Sequence, residues 1–381
     1  MNYIKEIAEA LSENHAALMV GAGFSKNAEK IAATEKTFLN WNELSDKFYE
    51  TVYENSNYPG KEYNSPLRLA QEVEITVGRP KLEKIIKEAV PDLEYAPSDI
   101  YVNLLKLPWR DVFTTNYDTL LERAADKVTE RRYNVVTSQE DLVNSNDAPR
   151  ILKLHGSFPS QRPFIITEED YRTYPTKFAA MVNTVQQGLL ENVFCMLGFS
   201  CEDPNFTNWI GWIHDNLGKS SSQKMYMVSV LHVAEAKRKL LFERNIIVVD
   251  LEELWPKKSI EERLKSFLGQ LNLIVEQKRN NNNWFDYEKV NLQLDTDFEK
   301  KIEIMKQLND SYPGWIFLPW KMKSKVNALL NEIDVMYKFD ENVIEKQLDF
   351  MYEYVKRHFR KTNPSTSGGT VLECFRKKRV Y

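Results

Sequence analysis

Six short apolar runs recur along the first two-thirds of the chain, separated by stretches with helical spacing. The first is Ala16-Ala17-Leu18-Met19-Val20. The others cover 111–115, 151–154, 192–197, 224–230 and 245–251, the last containing Ile246-Ile247-Val248-Val249. Within each run the apolar residues are continuous rather than alternating. That pattern marks strands buried on both faces of a parallel sheet, with helices on either side. Ahead of the first run, Ile4, Ile7 and Leu11 share one face of a helix predicted over 2–13. After the second, Thr119-Leu120-Leu121-Glu122-Arg123-Ala124-Ala125 reads as a helix start. The fold class predicted is α/β, a doubly wound parallel sheet.

Residues 26–108, between the first two strands, are helical in pattern and polar; they read as an inserted helical subdomain forming one wall of a pocket. The run Lys278-Arg279-Asn280-Asn281-Asn282-Asn283 has no apolar period and reads as a linker. Beyond it, 297–308 and 323–359 read as amphipathic helices, 363–370 as loose chain, and Arg376-Lys377-Lys378-Arg379 as a basic tail. The predicted division is therefore 1–277, then a helical C-terminal region over 284–381. The tail is either a solvated terminus or a docking element for a nucleic acid or an acidic partner.

Three polar signatures sit at the ends of the apolar runs: Gly21-Ala22-Gly23-Phe24-Ser25, Thr115-Asn116-Tyr117-Asp118 and His155-Gly156-Ser157. A strand that breaks into glycines ahead of a helix offers backbone N–H groups to a phosphate. In an open α/β sheet the carboxyl ends of the strands face the ligand crevice, so three signatures there point to one site. Plainer readings exist for each. His155 could be a core histidine, and Asn116, Asp118 and Ser25 could cap helices. Asp203-Pro204-Asn205 reads as a helix-start turn and Trp41 as a core anchor. His15, His214, His232 and His358 show no metal-ligand spacing.

Composition narrows the field. Of 381 residues 43% are hydrophobic, enough for a large core, and 51 basic against 55 acidic residues leave a net charge of −4, which argues against a general nucleic-acid binder. No apolar run is long enough to cross a bilayer, and Met1-Asn2-Tyr3-Ile4-Lys5-Glu6 lacks the basic region of a signal peptide. Three cysteines, Cys195, Cys201 and Cys374, cannot form a disulfide framework and suit a reducing compartment. The expected location is the cytoplasm.

Gly-Ala-Gly-x-Ser, Thr114-Thr115-Asn116-Tyr117-Asp118 and the later His155-Gly156 together resemble the NAD-binding domain of sirtuins. Deacylase sirtuins usually carry Gln before the Asn. The bacterial sirtuin-like group of anti-phage defence is more similar, and shares Leu197-Gly198-Phe199-Ser200, Asp203-Pro204-Asn205 and Trp41-Asn42-Glu43-Leu44. The resemblance covers roughly residues 1 to 275. It implies a Rossmann-like core that takes NAD as a substrate, with Asn116 and His155 as catalytic residues. Asn116 would orient a water toward the anomeric carbon, and His155 would act as general base on the ribose 3′-hydroxyl or on that water. Asp118 would accept from the nicotinamide amide. Gly21, Ala22, Gly23, Ser25 and Thr115 would line the cofactor, with pyrophosphate contacts from Ala22, Gly23 and Ser25. Gly198 and Ser200 would meet the adenosine ribose.

The departures from the deacylase pattern matter as much. Deacylases hold a structural zinc with two Cys-x-x-Cys pairs after His-Gly, whereas 156–194 here contains neither cysteine nor histidine. No zinc and no other metal is expected, and water becomes the simplest acceptor. The segment after Ser25 also lacks the Pro-Asp-Phe-Arg element, so no pyrophosphate-facing arginine is assigned. The resemblance implies an NAD hydrolase that releases nicotinamide and ADP-ribose and depletes NAD in infected cells. It would be held in check by homo-oligomerisation or by a HerA-type helicase ATPase partner. The alternatives are a non-catalytic module that senses NAD or ADP-ribose, and an ADP-ribosyltransferase. NADP remains open as a substrate.

Overall fold

The structure is a computed structural model that describes residues 2–31, 33, 35–53, 65–159, 163–218 and 222–281. The expected helices over 297–308 and 323–359, the loose segment and the basic tail lie outside the described residues. The described elements fall within one compact unit, Met1–Arg279, which the last helix slightly overruns.

Seven strands form one parallel sheet: β1 (Ala16–Val20), β4 (Asp111–Thr114), β5 (Asn134–Val136), β6 (Arg150–Lys153), β7 (Val193–Leu197), β8 (Met225–Ser229) and β9 (Ile246–Asp250). Their order is β5-β6-β4-β1-β7-β8-β9. From β1 the chain adds β4, crosses to the edge strand β5, returns to place β6 between them, and then builds β7, β8 and β9 on the other side. Carboxyl ends on the two sides of β1 therefore share one edge, where a ligand crevice opens. A two-residue antiparallel ladder, β2 (Glu29–Lys30) with β3 (Tyr95–Ala96), closes the ends of the segment inserted after β1.

Helices cover both faces. Alternate strand residues go to opposite layers, as the period of two requires. Ala16, Leu18 and Val20 of β1 pack with α1 (Asn2–Ser12), α5 (Asp99–Lys106), α6 (Leu120–Ala125) and α12 (Ile260–Asn281). Ala17 and Met19 pack with α7 (Glu168–Lys177), α8 (Ala179–Glu191), α9 (Pro204–Leu217) and α10 (Glu235–Glu243). The short α11 (Leu251–Leu254) follows β9.

The inserted segment has its own core. In it α2 (Trp41–Val52), α3 (Pro66–Val77) and α4 (Arg79–Ala89) bury Leu44, Phe48, Leu69, Val73, Leu82 and Ile86 against Phe164 and Ile166. Among the described residues these three α-helices make up its core, whereas α5 packs on the main sheet. Trp41 is 41% exposed and not a core anchor. It occupies the first position of α2, behind an Asn40–Glu43 capping box, and the buried stripe begins a turn later. The expected linker also begins too early, since α12 continues through Asn281. A helix needs no apolar period where charge holds it, and Lys278 lies 3.0 Å from Glu9 on α1. Among the described residues, no helix is long and apolar enough to cross a membrane.

Candidate functional site

The glycine loop leaves β1 into a six-residue 3-10 turn, Ala22–Asn27, rather than an α-helix. This corrects the expected helix N-terminus. The Gly21 N–H donates to Leu197 O and the Gly23 N–H to Gly198 O, both at 3.0 Å, and the Phe24 N–H donates to Gly21 O at 2.9 Å. Those three amides are committed within the protein. The glycines instead allow two backbones to cross closely. A Cβ on Gly21 would stand 2.5 Å from Gly198 O, and one on Gly198, whose φ is +62°, would stand 2.2 Å from Phe24 N. Gly198, just past the end of the neighbouring strand β7, thus packs directly against the glycine loop. Ala22, Gly23 and Ser200 are exposed at the same edge.

The next loop is set by Thr114. Its hydroxyl donates to Val20 O at 2.9 Å and accepts from Asn116 N at 3.1 Å, tying the exit of β4 to that of β1. Thr115, the residue singled out from sequence, is half-buried between them. Asn116 is 7% exposed. Its Nδ2 donates to Ser25 Oγ at 3.1 Å, and Ser25 Oγ donates to Asp118 Oδ2 at 2.8 Å. Asp118 Oδ1 accepts from Leu120 N at 3.2 Å, so this carboxylate braces the turn into α6, whose N-cap is Thr119, as well as joining the chain of side chains. Ser25 does not cap a helix; its hydroxyl is the middle link. The carbonyl oxygen of Asn116 is buried and has no hydrogen-bond partner among the described residues. Burial raises the proton affinity of Asp118, while the positive charge of Lys153 and the Ser25 hydrogen bond oppose it.

The third signature follows β6, whose pairing with β4 places Lys153 opposite Thr114. The Leu154 N–H donates to Thr114 O at 2.9 Å, extending the ladder by one residue. Asn116 and His155 each lie two residues past that paired position, so they leave neighbouring strands at the same level. His155 is 2% exposed, between the rings of Tyr171 and Tyr174, with centroids at 5.4 and 5.7 Å. Its Nε2 is 3.5 Å from Asn205 Nδ2. Burial pushes the imidazole below its ordinary range, and the charges of Asp203 and Asp170 act the other way. Asp203 caps α9 through Phe206 N at 3.1 Å and accepts from Tyr171 OH at 2.9 Å. The helix-start turn therefore forms as expected, and it also reaches the histidine.

Three residues here escaped the sequence reading. Asn205 lay in a recognised motif without a role. Glu122 looked like an ordinary helix residue. Lys153 carried a usable signal, a lysine inside the apolar run Ile151-Leu152-Lys153-Leu154. A cleft of about 170 Å³ opens past the ends of β5 and β6, between Thr137–Glu140 and Leu154, Gly156 and Met181, and neither His155 nor Asn116 lines it.

The insertion is fastened to this edge. Tyr117 OH donates to Ile165 O at 2.8 Å, and Ile165 N donates to His155 O at 3.0 Å. Arg79 on α4 donates to Phe164 O and to Asp170 Oδ2. The described cysteines do not fit a zinc centre. Cys195 and Cys201 lie in the cores on opposite faces of the sheet, and burial pushes both thiols up, Cys201 to about 12. His232, Asp250 and Glu253 converge, but Arg238 lies within 2.5–2.6 Å of both carboxylates and already supplies the cation.

The model of the SIR2-like domain family matches residues 110–249, the span that holds the second and third signatures. The chain is 24% identical to defense-associated sirtuin 2 of Bacillus subtilis over 285 residues, 73% of this chain and 27% of that protein. With the NAD(+) hydrolase ThsA of Acinetobacter baumannii (strain 532279) it shares 28% over 251 residues, 64% and 48% of the two chains. With ThsA of Enterococcus faecium the figures are 29% over 208 residues, 53% and 40%. The chain thus spans between about a quarter and a half of the length of these relatives. Among solved structures, a Sir2 homolog–NAD complex aligns with 71% of this chain and 94% of its own at 12% identity and a TM-score of 0.41.

Proposed function

We propose that this chain cleaves NAD at the bond between nicotinamide and ribose, with water as acceptor. The carbon–nitrogen bond breaks with its electron pair going to nicotinamide. A water oxygen bonds the anomeric carbon, and its proton leaves through a base, giving nicotinamide, ADP-ribose and one proton. Because the leaving group is neutral, catalysis is chiefly a matter of orienting the ribose and the water. The observation that carries this reading is the buried, unpartnered carbonyl oxygen of Asn116. A buried acceptor without a partner costs about 1–3 kcal/mol, and an attacking water that donates to it removes that cost. His155, held neutral by burial, is in the form a base requires. Asp118, Ser25, Thr115 and the Gly21–Gly23 and Gly198–Ser200 loops are the proposed cofactor contacts.

The names of the relatives, a defense-associated sirtuin and NAD(+) hydrolases, support the reaction and a role in defence; action against phage through NAD depletion is our proposal for that role. We assign 1–277 as the catalytic domain and 284–381, outside the described residues, as an accessory region. Control would come from self-association or from a HerA-type partner, and the site is cytoplasmic. Incubating purified protein with NAD and separating the products chromatographically tests the reaction. Nicotinamide and ADP-ribose should appear in equal amounts, and their release should fall by about a hundredfold or more in Asn116→Ala and His155→Ala. Binding of NAD without release of nicotinamide would mark a sensor module instead. Label retained on a macromolecule would mark a transferase.

A further inference from the structure

On β6, Ile151 faces the layer of α1, α5, α6 and α12. Alternation puts Lys153 on that same face, where an apolar side chain belongs. A lysine stands there instead, 1% exposed as a residue, with its side chain wholly enclosed. Taking an ammonium out of water is costly unless charge and hydrogen bonds replace its hydration. Here its Nζ lies 3.0 Å from Glu122 Oε1 on α6 and donates to the main-chain oxygen of Asp118. Glu122 Oε1 also lies 3.4 Å from Ser157 Oγ, in the His-Gly-Ser turn. One cation therefore meets the loop after β4 and the first turn of α6, from a point two residues ahead of His155.

We propose that Lys153 is a positioning residue for the site, its ammonium fixing the Asn116–Asp118 loop against the strand that carries His155. A neutral side chain of equal length would fill the same space, so the charge is what needs explaining. Its role lies in the groups around Asp118. Lys153 from β6 faces that carboxylate together with Ser25 from the glycine loop, Glu122 from α6, Tyr101 from α5, and Asp92 with its partner Arg123. Burial, Glu122 and Asp92 all favour protonation of Asp118, and Lys153 is the largest influence against it. An ionised Asp118 can only accept from the Ser25 hydroxyl and so fixes the direction of the chain to Asn116, whereas a protonated one can also donate.

The test compares the whole chain with Lys153→Met, Glu122→Gln and the double variant. Thermal unfolding between pH 5 and 8 needs no NAD. The Lys153→Met deficit should be large at pH 8 and shrink toward pH 5. With the cation gone, the folded state takes up a proton above the ordinary carboxylate range, and its penalty is relieved as pH falls through that raised value. The double variant should recover the part of the deficit that comes from an unpaired Glu122, while the part that comes from Asp118 remains and keeps its pH dependence. Folding of the double variant where Lys153→Met alone fails to fold would also support the proposal. A deficit of equal size at every pH would reduce Lys153 to a space-filler and overturn it.

The second readout, the pH profile of nicotinamide release, rests on the NAD-cleavage reading. Its acid limb should move up by about one unit in Lys153→Met, and down in Glu122→Gln, which folds with Lys153 still bonded to Asp118 O. Profiles that scale without moving would count against the proposal. A wild-type chain that leaves NAD intact ends the cleavage reading alone, and the unfolding series still decides on Lys153.

Discussion

Replacing Asn116 by alanine separates function from stability in an unusual way. The substitution removes one hydrogen bond, from Nδ2 to Ser25 at 3.1 Å, worth about 1 kcal/mol. It also removes a buried carbonyl that has no partner, and relief of that group is worth about 1–3 kcal/mol. The two nearly cancel or favour the variant, so its stability should range from unchanged to about 2 kcal/mol higher. For a chain of this size, 1 kcal/mol moves the melting temperature by about 2–4 °C. Turnover should fall by about 10²–10³-fold, the usual effect of losing one pre-aimed polar group, while NAD binding changes little. Differential scanning fluorimetry and chromatographic nicotinamide release measure the two quantities on the same sample. A drop in melting temperature beyond about 5 °C would mean that Asn116 is a structural linchpin. Cleavage within about threefold of wild type would mean that its carbonyl does not aim the nucleophile. Either result refutes the reasoning.

Two further substitutions test the frame of the site. Gly198→Ala places a methyl group 2.2 Å from Phe24 N at a φ of +62°; left-handed strain of about 1–2 kcal/mol and overpacking of about 1–3 kcal/mol should be visible in denaturant melts. A loss below about 1 kcal/mol would show that the two loops part easily. Burial holds the His155 pKa below that of the unfolded chain, so as pH falls below about 6.5 the unfolded state binds the extra proton and stability is lost. His155→Leu should flatten the stability curve in that window, and parallel curves for variant and wild type would show that His155 is not buried in the neutral form.

The sheet was legible because its strands carry nearly continuous apolar runs, and each of the six predicted runs matches its strand to within one residue at either end. β5 was missed because three residues, Asn134–Val136, at a sheet edge give too short a signal. The signatures were legible as strand ends, but their inner wiring was not. Sequence spacing places Ser25 and Asp118 ninety-three residues apart, and nothing local says that one hydroxyl joins them. The glycines misled in a specific way. A strand followed by Gly-Ala-Gly matches a phosphate loop, yet the same absence of Cβ atoms serves a backbone crossing with Gly198. Only the long-range partner tells these uses apart.

The hydrogen bonds through Ser25 have a direction, and that direction couples residues that never touch. Asp118 as a carboxylate can only accept, so the Ser25 proton points toward it, and the Ser25 oxygen is left to accept from Asn116 Nδ2. The amide of Asn116 is thereby turned with its carbonyl oxygen away from Ser25. A protonated Asp118 can donate to Ser25 instead, which frees the serine proton and allows the amide of Asn116 to turn over. Lys153, which opposes that protonation, therefore governs where the Asn116 carbonyl aims. The consequence is a failure of additivity. Lys153→Met should cost turnover in the wild-type background and little more once Asn116→Ala is present, because both act on one oriented carbonyl. Rates for the two single variants and the double variant at pH 7 measure the coupling. Losses that simply multiply would separate Lys153 from Asn116 and break the chain of orientation at Ser25.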